Sequence, residues 1–260
     1  MLKIGIIGGG NMSKAIVLGL LANKTKAENI MVSDKDAKKL NEINRFGVKT
    51  GKNEDVLNFG DVVIFAVKPN IYPIVLPECV GFDKLFISIA AGISIEYIKS
   101  ILGNCSRVVR VMPNTPALVG TGMTAICRNG SSEEDLQIVQ TIFSAVGETI
   151  LTDESLIDAV VGVSGSGPAY VFTMIEAMAD AGVLKGLSRT DAVKLAAQTV
   201  LGSAKMVLET GMHTAELRDA VCSPGGTTIE AVAALEDNGF RSSVISAVTA
   251  AANKSEKLKK

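Results

Sequence analysis

The chain has no tryptophan, three tyrosines and a single histidine, His213. A zinc centre built from His and Cys, or a Ser-His-Asp triad, would have to use that one imidazole. Its surroundings, ETGMHT at 209–214, read as a solvated turn between helices. Metal-dependent hydrolysis and triad catalysis are therefore set aside, and no metal is expected. Four cysteines, Cys79, Cys105, Cys127 and Cys222, stand singly with no CxxC pair, which suits a reducing cytoplasm better than a disulfide framework. Neither sign of charge is in excess: 26 Lys and Arg against 27 Asp and Glu leave a net charge of -1. Nucleic acid and anionic membrane are thus not expected as partners. Unbroken apolar runs are short, such as VVIFAV at 62–67, well under the roughly 18 residues of a bilayer span. The first ten residues also lack the hydrophobic region and cleavage site of a secretory signal. The expectation is a soluble, cytoplasmic protein.

What the chain does have is 260 residues, 47% of them hydrophobic, enough for one large domain or two ordinary ones. Up to about residue 151, short β-branched runs alternate with helical-period segments. The runs fall at 2–7, 30–33, 62–67, 85–89, 108–112 and 123–126. Continuous apolar runs separated by helices are what a parallel sheet covered on both faces requires. Residues 1–151 are therefore expected to form an α/β, Rossmann-like, doubly wound and mostly parallel domain. From 152 to 260 the strand runs stop, and Ala, Met, Leu and Val recur at helical spacing over 156–163, 170–181, 191–208, 227–235 and 242–257. The breaks fall at GSGP (165–168), at 182–186, at 211–214 and at SPGG (223–226). This half offers only Tyr170, Phe172 and Phe240 as aromatics. It is poorly equipped for a core of its own, and association with a second copy would bury its surplus apolar faces.

The first glycine-rich turn follows the first strand and precedes a helix: Ile7, Gly8, Gly9, Gly10, Asn11, Met12 and Ser13. There Gly8 permits the tight turn, Gly10 lets backbone approach a pyrophosphate, and the helix start supplies amides and positive potential. Ser13 replaces the usual third Gly or Ala but is still small. At the end of the second strand, Ser33, Asp34 and Lys35 put an acid next to a cation. An acid there suits the ribose 2′-hydroxyl of NAD, a cation the phosphate of NADP, so NAD and NADP both stay open. Asn53 can cap the next helix or lend its amide to a phosphate. Ala66, Val67, Lys68 and Pro69 follow one strand, and Ile89, Ala90 and Ala91 close another, where an open sheet collects its ligand. Lys68 can anchor an anion or simply cover surface. Asn114, in MPNTP at 112–116, can hold a nicotinamide amide or belong to a plain strand-ending turn.

Two loops in the second half, SGSGPA at 164–169 and CSPGGTT at 222–228, place glycines just ahead of a helix. The second is suited to a carboxylate, because amides around 225–228 and the hydroxyls of Ser223, Thr227 and Thr228 converge on one helix start. An ordinary N-cap with loop glycines is the alternative reading.

Taken together, IGIIGGGNMSKAI (4–16), AVKP (66–69), SIAAG (88–92), VMPNTP (111–116), LIDAVVGVSGSGPAY (156–170), CSPGGTT (222–228) and GFRS (239–242) make the chain resemble the pyrroline-5-carboxylate reductases. The likeness runs from the first strand to about Ala252. It implies a Rossmann-like domain joined to a helical, substrate-binding domain that interlocks with its twin in a homodimer, with dimers sometimes assembling further. It also implies NADPH in preference to NADH, with Ile7 to Met12, Ser33, Asn53, Ala66 to Pro69 and Ile89 to Ala91 lining the cofactor. Ser223, Gly225, Gly226, Thr227 and Thr228 would cradle the small-molecule substrate, Glu154 would lie near its ring, and the Thr228 hydroxyl would hydrogen-bond the ring nitrogen. Asp34 departs from what a 2′-phosphate prefers. The implied reaction, reduction of 1-pyrroline-5-carboxylate to L-proline, needs no catalytic histidine, since a protonated imine accepts hydride without a metal or covalent intermediate. Two other readings compete: a related hydroxy-acid dehydrogenase, and a non-catalytic NAD(P)-binding dimeric regulator. For the first, none of Lys185, Lys194 and Lys205 stands beside a loop motif. The second leaves the two glycine loops of the helical half without a purpose.

Overall fold

A computed structural model of the chain describes every residue except Met1, Cys105 and Lys260; of the four cysteines, Cys105 therefore lies outside the described residues. The strands are β1 (Ile4–Ile7), β2 (Ile30–Ser33), β3 (Lys49–Gly51), β4 (Val62–Phe65), β5 (Leu85–Ser88), β6 (Arg107–Met112), β7 (Gly122–Cys127) and β8 (Gly147–Thr152). They form one sheet in the order β3-β2-β1-β4-β5-β6-β7-β8. All neighbours run parallel except β6 and β7. The helices of the sheet-bearing part are α1 (Asn11–Ala22), α2 (Ala37–Asn44), α3 (Asn53–Phe59), α4 (Tyr72–Val75), α5 (Ile95–Leu102), α6 (Glu133–Phe143) and α7 (Ile157–Val160). After them come α8 (Gly167–Leu184), α9 (Arg189–Thr210), α10 (Thr214–Ala220), α11 (Thr227–Asp237) and α12 (Phe240–Glu256).

Alternation along the buried strands feeds two cores, one on each face of the sheet. Ile6, Ile64 and Ile87 pack with Ile16 and Val17 of α1 and Val139 and Phe143 of α6. Ile7, Phe65 and Phe86 pack with Val56 of α3, Tyr72 of α4 and Ile98 of α5. Helices on both faces of a largely parallel sheet make the doubly wound architecture expected from the strand runs. Two strands were not legible in the pattern. The edge strand β3 is only Lys-Thr-Gly, and β8, GETILT, is largely solvent-facing, so neither displays an apolar run. Likewise α10 went unrecognised between the breaks at 211–214 and 223–226.

The GSGP segment at 165–168 differs from expectation. It is not an open loop: a π-helical turn over Val161–Gly165 leads into α8, and the Ser166 amide donates to the Val161 carbonyl at 2.8 Å. The run 154–184 is consequently one long helical stretch. By length and composition alone it is apolar enough to cross a membrane, which a count of unbroken apolar residues does not reveal.

Compactness divides the chain elsewhere than at 151/152. One unit comprises Met1–Ser166 and Thr249–Lys260, the other Gly167–Val248. Within 167–248 the only buried residues are Ala179, Ala192 and Ala196.

Candidate functional site

Parallel register aligns the carboxyl ends of the central strands. Gly51, Ser33, Ile7, Phe65 and Ser88 sit side by side across β3, β2, β1, β4 and β5. The residues that follow them, Asp34, Gly8, Ala66 and Ile89, therefore open along one edge, with the order reversing between β1 and β4, where a doubly wound sheet takes its ligand. Gly8 has φ 109°, and a Cβ there would stand 2.6 Å from the Ala66 carbonyl oxygen. Both constraints admit only glycine at this turn. A Cβ on Gly10, in contrast, would meet nothing within 4 Å, so the backbone before α1 faces open space. Met12 packs on the core beneath the turn, together with Ala66 and Ile89, while Val67 and Ala91 pack on the opposite core. Lys68 and Pro69 are exposed.

Helix starts sort into two kinds. Asp36, Ser94, Ser132, Ser188 and His213 cap α2, α5, α6, α9 and α10 with their own side chains. No side-chain cap hydrogen bond closes α1, α3, α4, α7 or α11, and of these α1 and α11 open on glycine, Gly10 and Gly226. At the α1 turn the Gly8 and Gly9 amides are already taken by the Ser33 carbonyl and Asp34, and before α11 the Gly226 amide is taken by the Ser223 carbonyl, so an external acceptor would have to use the first-turn amides beyond them. These two starts are the ones that the sequence assigns to a pyrophosphate and to a carboxylate. Residues present at the first fit a dinucleotide: a turn that only glycine permits, open space before the helix, and no acid in its first turn.

Beside the turn lies a cleft of about 610 Å³ lined by Ser33, Asp34, Lys35, Lys52, Asn53 and Glu78, among others. Here Ser33 Oγ donates to Asn53 Oδ1 at 2.7 Å, and Asn53 Nδ2 donates to Glu78 Oε2 at 2.7 Å. Asp34 is committed to the protein: Oδ2 accepts from the Gly9 amide at 2.7 Å and Oδ1 from the Asp36 amide at 2.8 Å, with Lys39 Nζ at 3.5 Å. Burial alone would raise the Asp34 pKa. The amides of Asp36 and Gly9, together with Lys39, outweigh it and hold the carboxyl below its ordinary range. The acid that argued for NAD thus serves the glycine turn, and Lys35 and Lys52 remain as cations in the cleft.

Asn114 is also spent on the protein. Its Nδ2 donates to the Ser164 carbonyl at 3.1 Å and its Oδ1 accepts from the Met123 amide at 2.8 Å, so the geometry favours a structural tie at the end of β6 over a cofactor contact.

In the helical unit, Ser223, Gly225 and Thr227 are exposed, and Gly226 and Thr228 are partly so. A Cβ on Gly226 would collide with Ser223 Oγ, and the Gly226 amide donates to the Ser223 carbonyl at 3.0 Å. The turn is thereby folded tightly onto the start of α11. His213, at the other side of α10, accepts from the Ala215 amide at 3.2 Å as an exposed cap.

Glu154 belongs to the sheet-bearing unit. Its Oε1 accepts from Arg110 Nη1 and from the Ile95 amide, each at 2.9 Å. Arg110 is 1% exposed, and its Nε and Nη2 are buried without a protein partner. It continues the aligned row, opposite Ser88. Sequence reading missed it, although a cation inside the apolar stretch VVRVM at 108–112 is a visible signal. Burial pushes the Cys79 and Cys127 thiols up to about 12 and raises the Tyr72 phenol. None of the three is a nucleophile or base near neutral pH.

Comparison with known proteins gives the family. Residues 154–258 match the family described as pyrroline-5-carboxylate reductase dimerisation, and residues 3–92 match the NADP oxidoreductase, coenzyme F420-dependent family. A pyrroline-5-carboxylate reductase of Escherichia coli (strain K12) is 49% identical over 265 residues, covering 99% of this chain and 98% of its own. The solved structure of a pyrroline-5-carboxylate reductase from Coxiella burnetii superposes with a TM-score of 0.93 at 38% identity, covering 100% of this chain and 99% of that one. The pyrroline carboxylate reductase of Plasmodium falciparum with NADP bound superposes with a TM-score of 0.89 at 34% identity, covering 100% of this chain and 98% of that one.

Proposed function

Because the chain belongs to the pyrroline-5-carboxylate reductase family, we propose that it reduces 1-pyrroline-5-carboxylate to L-proline with NADPH, the last step of proline synthesis. The observation that carries this reading is the pair of helix starts opened by glycine and left without a side-chain cap, Gly10 before α1 and Gly226 before α11. One receives a pyrophosphate and the other a carboxylate.

When bound, the cofactor supplies a hydride and leaves oxidised, while the imine carbon gains that hydride and the ring nitrogen retains its proton as the amine of proline. The protein's part is to bind and orient. Gly8 and Gly9 shape the turn, their amides bound to the Ser33 carbonyl and Asp34, and Gly10 with the first amides of α1 at Asn11 and Met12 takes the dinucleotide phosphates. Lys35 takes the 2′-phosphate, since Asp34 is already committed to the Gly9 and Asp36 amides, and Ser33 and Asn53 join it by exchanging their bonds to each other and to Glu78. Backbone between Ala66 and Pro69 and from Ile89 to Ala91 lines the remainder. On α11 the amides of Thr227 and Thr228 hold the substrate carboxylate, with Ser223, Gly225 and Gly226 shaping the turn, the Gly226 amide being bound to the Ser223 carbonyl. Thr228 Oγ1 accepts from the protonated ring nitrogen, which fixes the ring's orientation. Its hydroxyl is too weak an acid at neutral pH to be the obligatory proton source, and an imine that enters protonated needs none. Glu154 acts through Arg110 and Ile95 instead of standing alone as a charged group. Residues 152–260 are proposed as the substrate-binding and dimerisation domain, and a second copy is proposed to cover their apolar surface. We place the enzyme in the cytoplasm on its unpaired, scattered cysteines.

The test is a spectrophotometric assay with 1-pyrroline-5-carboxylate and either NADPH or NADH. Oxidation of both is expected, with the lower KM for NADPH. Tight NADPH binding with no turnover would instead identify a non-catalytic regulator.

A further inference from the structure

The turn that follows β5 is gripped from two sides. On one side, Glu154 Oε1 accepts from the Ile95 amide, where α5 begins (2.9 Å). On the other, the carbonyl of Leu258 presses against Gly92. A Cβ on Gly92 would lie 2.6 Å from that oxygen and 3.1 Å from the carbonyl carbon. Gly92 also has φ 75°, a conformation that a side chain disfavours, so the turn has been shaped around the backbone of residue 258. What holds Leu258 there is Asp158. Its Oδ1 accepts from Ser255 Oγ at 2.7 Å, and its Oδ2 pairs with Lys259 Nζ at 2.5 Å. Leu258 stands between these two anchors, and its amide donates to the Ser255 carbonyl at 3.0 Å. Ser255 is buried, Asp158 nearly so. Glu154 and Asp158 lie four residues apart on one helical stretch, so both grips come from the same short segment.

We propose that Asp158 is a positioning residue for the cofactor: by fastening Ser255 and Lys259 it clamps Leu258 onto Gly92 and thereby sets the Ile89–Ala90–Ala91 backbone. This rests on the functional reading above, which gives that backbone to NADPH. A side chain that only stabilised the fold would lower the melting temperature when changed. A clamp also alters how often the turn opens in the free protein and how tightly the nucleotide binds. Loss of one charge-assisted contact that closes a local segment corresponds to roughly a tenfold change in opening.

The experiment measures amide hydrogen exchange of 90–95 in the nucleotide-free protein, and NADPH affinity by fluorescence, for Asp158→Asn, Lys259→Met and Lys259→Arg. Expected are about tenfold faster exchange at the turn and about fivefold weaker NADPH binding in the first two. The KM for 1-pyrroline-5-carboxylate should stay within about twofold, and Lys259→Arg should behave as the parent. Asp158→Asn and Lys259→Met combined should do little more than either alone, since both release one clamp. Unchanged exchange and affinity in the folded variants, even with a lower melting temperature, would overturn the clamp. A parent protein that binds no NADPH, yet shows the exchange contrast, would overturn the functional reading and the cofactor role while leaving the mechanical contact demonstrated.

Discussion

Arg110 is the costliest single side chain in the sheet-bearing unit. A buried guanidinium stands near Tyr72 and Cys127 with one carboxylate to answer it and two nitrogens, Nε and Nη2, left over. Removing one partner from such a pair strands the other's charge, at a cost of about 3–5 kcal/mol where both are fully buried. Glu154 keeps some contact with solvent, so Glu154→Ala should fall toward the lower end of that range in urea unfolding. Glu154→Gln combined with Arg110→Met should recover most of the loss, because no charge is then stranded; a double variant as unstable as Glu154→Ala would contradict this account. Asp34 permits a prediction with a definite sign. Its pKa is lowered on folding, so the stability it contributes is present above the ordinary carboxylate range and disappears as pH falls through the depressed value. Asp34→Asn should flatten the acid limb of stability against pH and leave a constant offset near neutrality. Urea midpoints across the acid range would show it, and a parallel shift at every pH would refute it. Ser13 is a further case: its buried Oγ has no partner, so Ser13→Ala is expected to be neutral or slightly stabilising in the same unfolding measurement.

The helix starts proposed to hold the ligands were legible because glycine and capping residues are local signals. Gly10 and Gly226 stand where a Ser or Asp would ordinarily close the helix, and the contrast with Ser94, Ser132 and Ser188 is written in the chain. Continuous apolar runs likewise revealed β1, β4 and β5. What stayed hidden depends on tertiary partners. The short edge strand β3 borrows its register from β2, and β8 borrows its register from β7. Asp34 looked like a ribose ligand until the Gly9 amide was found on it, and Asn114 looked free until Ser164, fifty residues on, took its amide. The GSGP segment misled for another reason: glycine and proline punctuate helices, yet Pro168 falls within the first turn of α8, where its missing N–H costs nothing. At α11 the expectation is specific. Gly226→Ala drives a methyl group into Ser223 Oγ and toward the Ser223 carbonyl oxygen, which should displace the amides proposed to receive the carboxylate. The KM for 1-pyrroline-5-carboxylate should rise by about tenfold or more, with NADPH affinity within about twofold. Equal losses for both ligands would mean that the turn supports the fold and not the substrate.

A polypeptide segment of this size with three alanines as its only buried side chains has no core of its own. Phe172, Leu184, Leu195, Leu201, Leu208 and Ile245 are all exposed in the single chain, and covering one such side chain is worth about 1.5–3 kcal/mol. Small residues at Ala177, Ala181, Ala197, Gly202 and Ala204 let another backbone come close. The family's dimerisation domain supports an oligomer, and a second copy would satisfy this surface without any new sequence, because a two-fold interface is self-complementary. It also offers the long apolar stretch at 154–184 an alternative to lipid. Folding of the helical unit and association are then one equilibrium, and stability must depend on protein concentration. Sedimentation velocity should show a dimer or a larger even-numbered species, and far-ultraviolet dichroism should lose helical signal on dilution. Leu195→Glu with Leu201→Glu on α9, two exposed leucines about a turn and a half apart, should dissociate the assembly and abolish turnover while the nucleotide still binds the sheet-bearing unit. A double variant that remains fully helical and active as a monomer would show that the helical half is self-sufficient after all.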